Sequence, residues 1–175
     1  QLIFEGFNLG LVIALAAMGL SLIYGTTGLT NFAHGELVTF GAMVAFWFTT
    51  SWGSLNLIPA AFLAVIVSGM FGYGQDRWFW GRLRKRGTGV IAMMIISIGL
   101  ALVLRNVFQI FYGGRTRQYQ DYNALEGIDF GPFTANWKTL VGMFVCIVVI
   151  LAMAFALLFT RLGKATRAVA DNAAL

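Results

Sequence analysis

The chain of 175 residues is 59% hydrophobic and only 11% charged, with a mean hydropathy of +0.79, whereas a soluble domain carries about 25% charged residues. It is solvated by lipid rather than water. Two prolines and the lack of alternating apolar/polar ten-residue segments argue against a barrel, which leaves an all-α, polytopic transmembrane helical bundle. The net charge of +5 is assigned to loops facing the cytoplasm, not to nucleic acid. One cysteine, Cys146, and one histidine, His34, build neither a disulfide framework nor a metal cluster. No cofactor is expected in this chain.

About five apolar runs are long enough to span. The first covers about 7–24 and is closed by Gly25. No secretory signal precedes it, and its length keeps it as a membrane helix. The second covers about 31–52. Its uninterrupted apolar part, Leu37 to Ser51, covers roughly 22 Å, short of a hydrocarbon core of roughly 30 Å. To span, this helix must start near Asn31, with Thr30 or Asn31 as N-cap. That puts His34 and Glu36 at or inside the membrane boundary, where ionisable groups are turned toward protein or a polar cavity.

The third run covers about 57–73, with Pro59 in its first turn. The fourth covers about 90–112 and the fifth about 137–160. Gly6-x-x-x-Gly10 and the group Gly69, Gly72 and Gly74 are weak signals of close helix packing. Trp47, Trp52, Trp78, Trp80, Tyr112 and Trp137 fall where an interfacial belt would put them. All five runs belong to one transmembrane domain.

Orientation follows from the loops. Residues 75–88 hold Arg77, Arg82, Arg84, Lys85 and Arg86, and the tail after the fifth run holds Arg161, Lys164 and Arg167; together they carry 8 of the 12 basic residues. The basic side is the cytoplasm, so the N-terminus is expected outside and residue 175 inside. The 24 residues from Gly113 to Asn136 form a long outer loop, either a plain connector or a docking surface for a soluble partner.

The chain lacks a nucleophile–base–acid arrangement and a Gly-x-x-x-x-Gly-Lys phosphate loop. It is therefore expected to be a transport subunit rather than an enzyme, and uphill movement of solute by ATP would need an ATPase on another chain. Asn31 either caps the second helix or turns its amide into a translocation path. His34 and Glu36 are either a proton relay or structural; their i, i+2 spacing makes the side chains diverge by about 200°. Arg105 lies about 10 Å from the Tyr112 end of the fourth run. With Asn106 and Gln109 it forms either part of the outer pathway or a contact with a neighbouring helix. The Ala-rich tail, 161–175, either rests on lipid or enters a groove of a cytosolic protein.

Asn31-Phe-Ala-His-Gly-Glu-Leu after Ile23-Tyr24-Gly25, Ser97-Ile-Gly-Leu-Ala before Arg105-Asn106, and Leu162-Gly-Lys-Ala-Thr-Arg-Ala-Val-Ala-Asp-Asn-Ala-Ala-Leu strongly resemble the Liv-type permeases of bacterial ABC importers for branched-chain amino acids. The likeness spans nearly all of the chain. It implies an importer in the cytoplasmic (inner) membrane with a second permease subunit, two cytosolic ATP-binding subunits and an extracytoplasmic solute-binding protein. Movement would be by alternating access. The resemblance implies that Asn31, His34 and Glu36 sit in the helix bundle; with Arg105 and Asn106, read from their place in the fourth run, they are the candidates for the pathway or its gate. Arg161, Gly163, Lys164, Arg167 and Asp171 would begin the cytoplasmic segment that couples to the ATPases. Because the chain opens on Gln1 and stops inside a helix-like segment, it is expected to be part of a longer permease. The alternatives are the same machine carrying urea or short amides, a proton-coupled transporter using His34 and Glu36, and a membrane scaffold without transport.

Overall fold

A computed structural model describes residues 1–51, 55–115, 119, 127–129 and 134–171. The helices are α1 (Leu2–Thr27), α2 (His34–Thr50), α3 (Leu57–Gln75), α4 (Gly81–Lys85), α5 (Val90–Tyr112), α6 (Trp137–Phe159) and α7 (Arg161–Asp171). A small antiparallel hairpin, β1 (Gly127–Asp129) and β2 (Thr134–Asn136), pairs Ile128 with Ala135 and leads straight into α6. Among the described residues, four helical stretches are long and apolar enough to cross a membrane: Leu2–Thr27, Leu57–Lys85, Val90–Tyr112 and Thr139–Phe159. With the apolar α2 they make the helical membrane architecture expected from composition.

The chain divides into two compact units. In the first, Gln1–Thr30 with Asn123–Leu175, α6 and α7 both pack on α1. In the second, Asn31–Tyr122, α2 packs against α3 and α5. Phe40 is the hub of this unit, its ring 4.4 Å from that of Phe71 on α3 and 5.9 Å from that of Phe108 on α5.

Helix α1 starts at Leu2, ahead of the expected residue 7, and three further boundaries differ from the sequence expectation for reasons the structure shows. Helix α1 runs past Gly25 to Thr27 and stops at Gly28, whose φ of 65° is left-handed and whose N–H donates to the Tyr24 carbonyl at 2.8 Å; such a cap favours glycine. The third run does not end at Tyr73. It continues through a π-helical turn, Asp76–Trp80, into α4. Arg77, Arg82, Arg84 and Lys85 are thus helical, not loop. The end at Arg86–Thr88 has Thr88 N–H on the Leu83 carbonyl and Gly87 N–H on the Arg84 carbonyl, a Schellman arrangement. Arg84 pairs with Asp76 at 2.8 Å, an exposed contact that contributes little.

The third correction concerns α2. It begins at His34, not Asn31, and its 17 residues reach only about 25 Å. The missing length is a turn, not helix. Asn31 Oδ1 accepts from Ala33 N–H at 3.0 Å, and the Asn31 carbonyl accepts from His34 N–H at 3.0 Å. Phe32 N–H donates to Ser97 Oγ on α5 at 3.1 Å, and that hydroxyl donates onward to the Met94 carbonyl at 2.6 Å. Non-helical backbone is tolerated at membrane depth only where protein buries and satisfies it. Both conditions hold, for Asn31, Ala33 and Ser97 are 5%, 0% and 0% exposed.

Candidate functional site

The bonded contacts between α2 and α5 fix their relation. Phe32 meets Ser97, Phe40 stacks on Phe108, and the Tyr112 hydroxyl donates to the Met43 carbonyl at 3.4 Å. The partners advance together along the sequence, so the two helices run parallel. From the Met43–Tyr112 pair, Glu36 lies seven residues back on α2 and Arg105 seven residues back on α5. Two helical turns, about 10 Å, separate each from that pair. The Phe40–Phe108 and Phe32–Ser97 pairs put Arg105 further along than Glu36, so the two charges stand within about one helical turn of each other.

Both charges line one cleft of about 460 Å³, as does the exposed Arg115 beyond α5. Helix α2 supplies Glu36, Thr39, Met43 and Phe46, and α5 supplies Arg105, Phe108, Gln109 and Tyr112. Each set follows i, i+3, i+7 steps, the single stripe that one helix face presents. Phe46 sits edge-on to Tyr112 and to Tyr119, with ring centroids 6.4 and 6.0 Å apart. Tyr119 Oη donates to the Ala42 carbonyl at 2.9 Å, and burial raises its phenol pKa, so it remains a donor at neutral pH. Among the described residues, neither the Glu36 carboxylate nor the Arg105 guanidinium makes a hydrogen bond or ion pair; the only ion pair is Arg84 with Asp76.

The sequence-predicted residues part company here. Glu36 and Arg105 come together, with Gln109 beside them. Asn31 is not in the cleft; its side-chain oxygen holds the turn before α2. Asn106 faces away and bonds back to the Leu102 carbonyl at 2.7 Å. His34 is half-buried and does not line the cleft. Thr39, Phe46 and Tyr119 escaped the sequence reading, although the stripe Glu36, Thr39, Met43, Phe46 was visible as a helical period. Among the described residues, no three His, Cys, Asp or Glu side chains gather where a metal would be held.

The tail residues divide in a different way. Thr160 caps α7, its Oγ1 accepting from Gly163 N–H at 3.1 Å. Gly163 is buried, and a methyl group there would overlap the backbone of Ala156 and Leu157. Arg161, Lys164 and Arg167 are exposed, and Arg167 donates to the Leu158 carbonyl at 3.2 Å at the end of α6. The Asp171 side chain lies outside the described residues.

Residues 2–175 match the family described as branched-chain amino acid transport system, permease component. The chain belongs to that family. It is 32% identical over 185 residues to the high-affinity branched-chain amino acid transport system permease protein BraD of Pseudomonas aeruginosa. It is 28% identical over 186 residues to LivH of Salmonella typhimurium. In both cases 98% of this chain aligns with 59% of the relative. A probable LivH of Methanocaldococcus jannaschii is 27% identical over 169 residues, covering 94% of this chain and 52% of the relative. The chain thus spans somewhat over half the length of these curated relatives. No solved structure matches it.

Proposed function

We propose that the chain is the membrane part of an ABC importer that carries branched-chain amino acids through the cytoplasmic membrane by alternating access. The family match across residues 2–175 carries this reading, and the printed functions of BraD and LivH supply the substrate class. The N-terminus is outside and residue 175 cytoplasmic, in keeping with the basic residues of 77–86 and 161–167. Helix α7 then lies on the side of two cytosolic ATP-binding subunits, and a solute-binding protein delivers from outside to a pathway shared with a second permease subunit. Asn31 and His34 shape the start of α2, and Asn106 stays off the path.

The cleft favours an aliphatic amino acid over urea. Its volume of about 460 Å³ and its Met43, Phe46 and Phe108 lining suit an apolar side chain, which urea lacks. A proton relay through His34 and Glu36 gains no support, because only Glu36 lines the cleft.

The test is uptake by vesicles holding the complete transporter with its binding protein. Labelled leucine is expected to enter with ATP present, to keep entering when a proton uncoupler is added, and to stop when the ATPase subunits are inactivated. Uptake that an uncoupler abolishes while ATP is supplied would overturn the importer reading in favour of a proton-coupled carrier. Uptake of urea but not leucine would move the substrate class.

A further inference from the structure

We infer that Glu36 and Arg105 form a two-point clamp for the zwitterionic head of an α-amino acid, the Glu36 carboxylate holding the ammonium and the Arg105 guanidinium the carboxylate. The inference rests on the importer reading above and assigns the residues by which the pathway would recognise its cargo.

Three observations carry it. The two side chains line one cleft and stand within about one helical turn of each other, as the Phe32–Ser97, Phe40–Phe108 and Met43–Tyr112 contacts place them. Opposite charges so placed would be expected to close on each other, yet among the described residues neither has an ionic or hydrogen-bonded partner. The cleft that both line, about 460 Å³, leaves space for a ligand. Glu36 is half-buried and Arg105 exposed in this chain, and unpaired charges on apolar membrane helices are expensive and mark ligand paths. A cation alone would match Glu36 and leave Arg105 unmatched, and an anion alone would do the reverse. A zwitterion matches both and brings no net charge into the cleft, whose third charge, Arg115, is exposed beyond the Tyr112 end of α5.

The rest of the lining fits the same ligand. A guanidinium binds a carboxylate through two parallel N–H donors, a geometry that lysine cannot reproduce. Gln109 lies one turn beyond Arg105 on the same face, within range of the same carboxylate. Thr39 lies one turn beyond Glu36 and offers a second oxygen to the ammonium. Met43, Phe46 and Phe108 stand further along the cleft, where a branched aliphatic side chain would be received, the flexible thioether adapting to its shape. Recognition would thus be strict for the head and loose for the aliphatic tail.

The experiment reads ligand stabilisation of the assembled, detergent-solubilised transporter without its binding protein, so that only the membrane subunits discriminate. Millimolar leucine is expected to raise the thermal midpoint. Equal concentrations of 4-methylpentanoate, which lacks the ammonium, and 3-methylbutylamine, which lacks the carboxylate, are expected to leave it unmoved. Arg105→Gln and Glu36→Gln should each need about tenfold or more leucine for the same shift, and Arg105→Lys should recover only part of the loss. The analogue arm uses the unaltered protein, so it holds even if a variant fails to fold. Half-analogues that stabilise as well as leucine, or variants that respond as the parent does, would overturn the clamp. So would a parent that takes up leucine with ATP yet shows no leucine-dependent shift. A parent that takes up no leucine would instead overturn the importer reading itself.

Discussion

Asn31→Leu combined with Ser97→Val is expected to prevent α2 from seating, and to lower the thermal midpoint of the solubilised transporter more than either change alone. Leucine at 31 deletes the oxygen that accepts Ala33 N–H, and valine at 97 deletes the acceptor of Phe32 N–H. Each change strands a backbone donor, one buried and one part-buried, at a cost of about 1–3 kcal/mol for a buried group in a water-soluble protein. Lipid offers no water to take over that bond, so the loss here should sit at the upper end. Ser97→Thr keeps the hydroxyl and is expected to retain most of the stability. Protease susceptibility of residues 28–36 in the membrane-embedded transporter provides a second readout. An unchanged midpoint and unchanged protection in the double variant would mean that this turn is not what holds α2 in place.

Gly163→Val should disable the corner between α6 and α7. The methyl groups of valine would overlap the backbone of Ala156 and Leu157, and a helix backbone cannot give way as a flexible side chain can. Overpacking of this kind costs about 1–3 kcal/mol in well-packed cores, with more expected where main chain is the obstacle. The glycine is required for close approach, because it does not figure among the glycines with positive φ. Relief comes by swinging α7 away from α6, which breaks the Thr160 cap on Gly163 N–H and the Arg167 bond to the Leu158 carbonyl. ATP-dependent uptake is expected to fall at least tenfold, while the amount of transporter inserted in the membrane stays similar. Thr160→Ala, which removes only the cap, should cost about 1 kcal/mol and leave most of the uptake. Full uptake by the valine variant would show that the corner has no part in coupling.

These residues also mark what the sequence could and could not reveal. The long apolar runs are written plainly, since a membrane helix satisfies its own backbone and needs only length and hydropathy. The ends of the runs are less legible. Gly25 and Gly28 are both plausible stops, and the back-bonding of the Thr26 and Thr27 hydroxyls to the Leu22 and Ile23 carbonyls allows α1 to pass the first and stop at the second. The start of α2 depends on Ser97, 65 residues away, and no local pattern carries that distance. The glycine signals proved weak for the same reason. A methyl group added at Gly6, Gly10, Gly69, Gly72 or Gly74 would meet nothing within 4 Å, so within this chain those small faces pack against nothing. Glu36 and Arg105 are each recognisable as polar groups inside apolar runs, but their place on one cleft comes only from the parallel packing of α2 and α5. His34 and Asn106 looked equally promising in sequence and are turned elsewhere.

The most direct check on the α2–α5 cleft as the solute path is cysteine accessibility in the membrane-embedded transporter. Cys146 is the only cysteine, so a Cys146→Ser background carrying Thr39→Cys or Phe108→Cys gives a single reporter at a cleft-lining position. A water-soluble maleimide is expected to label both reporters and to do so several-fold more slowly when leucine is present, with no such slowing by 4-methylpentanoate. Labelling that leucine leaves unchanged at both positions, or reporters that never react from either side of the membrane, would contradict it.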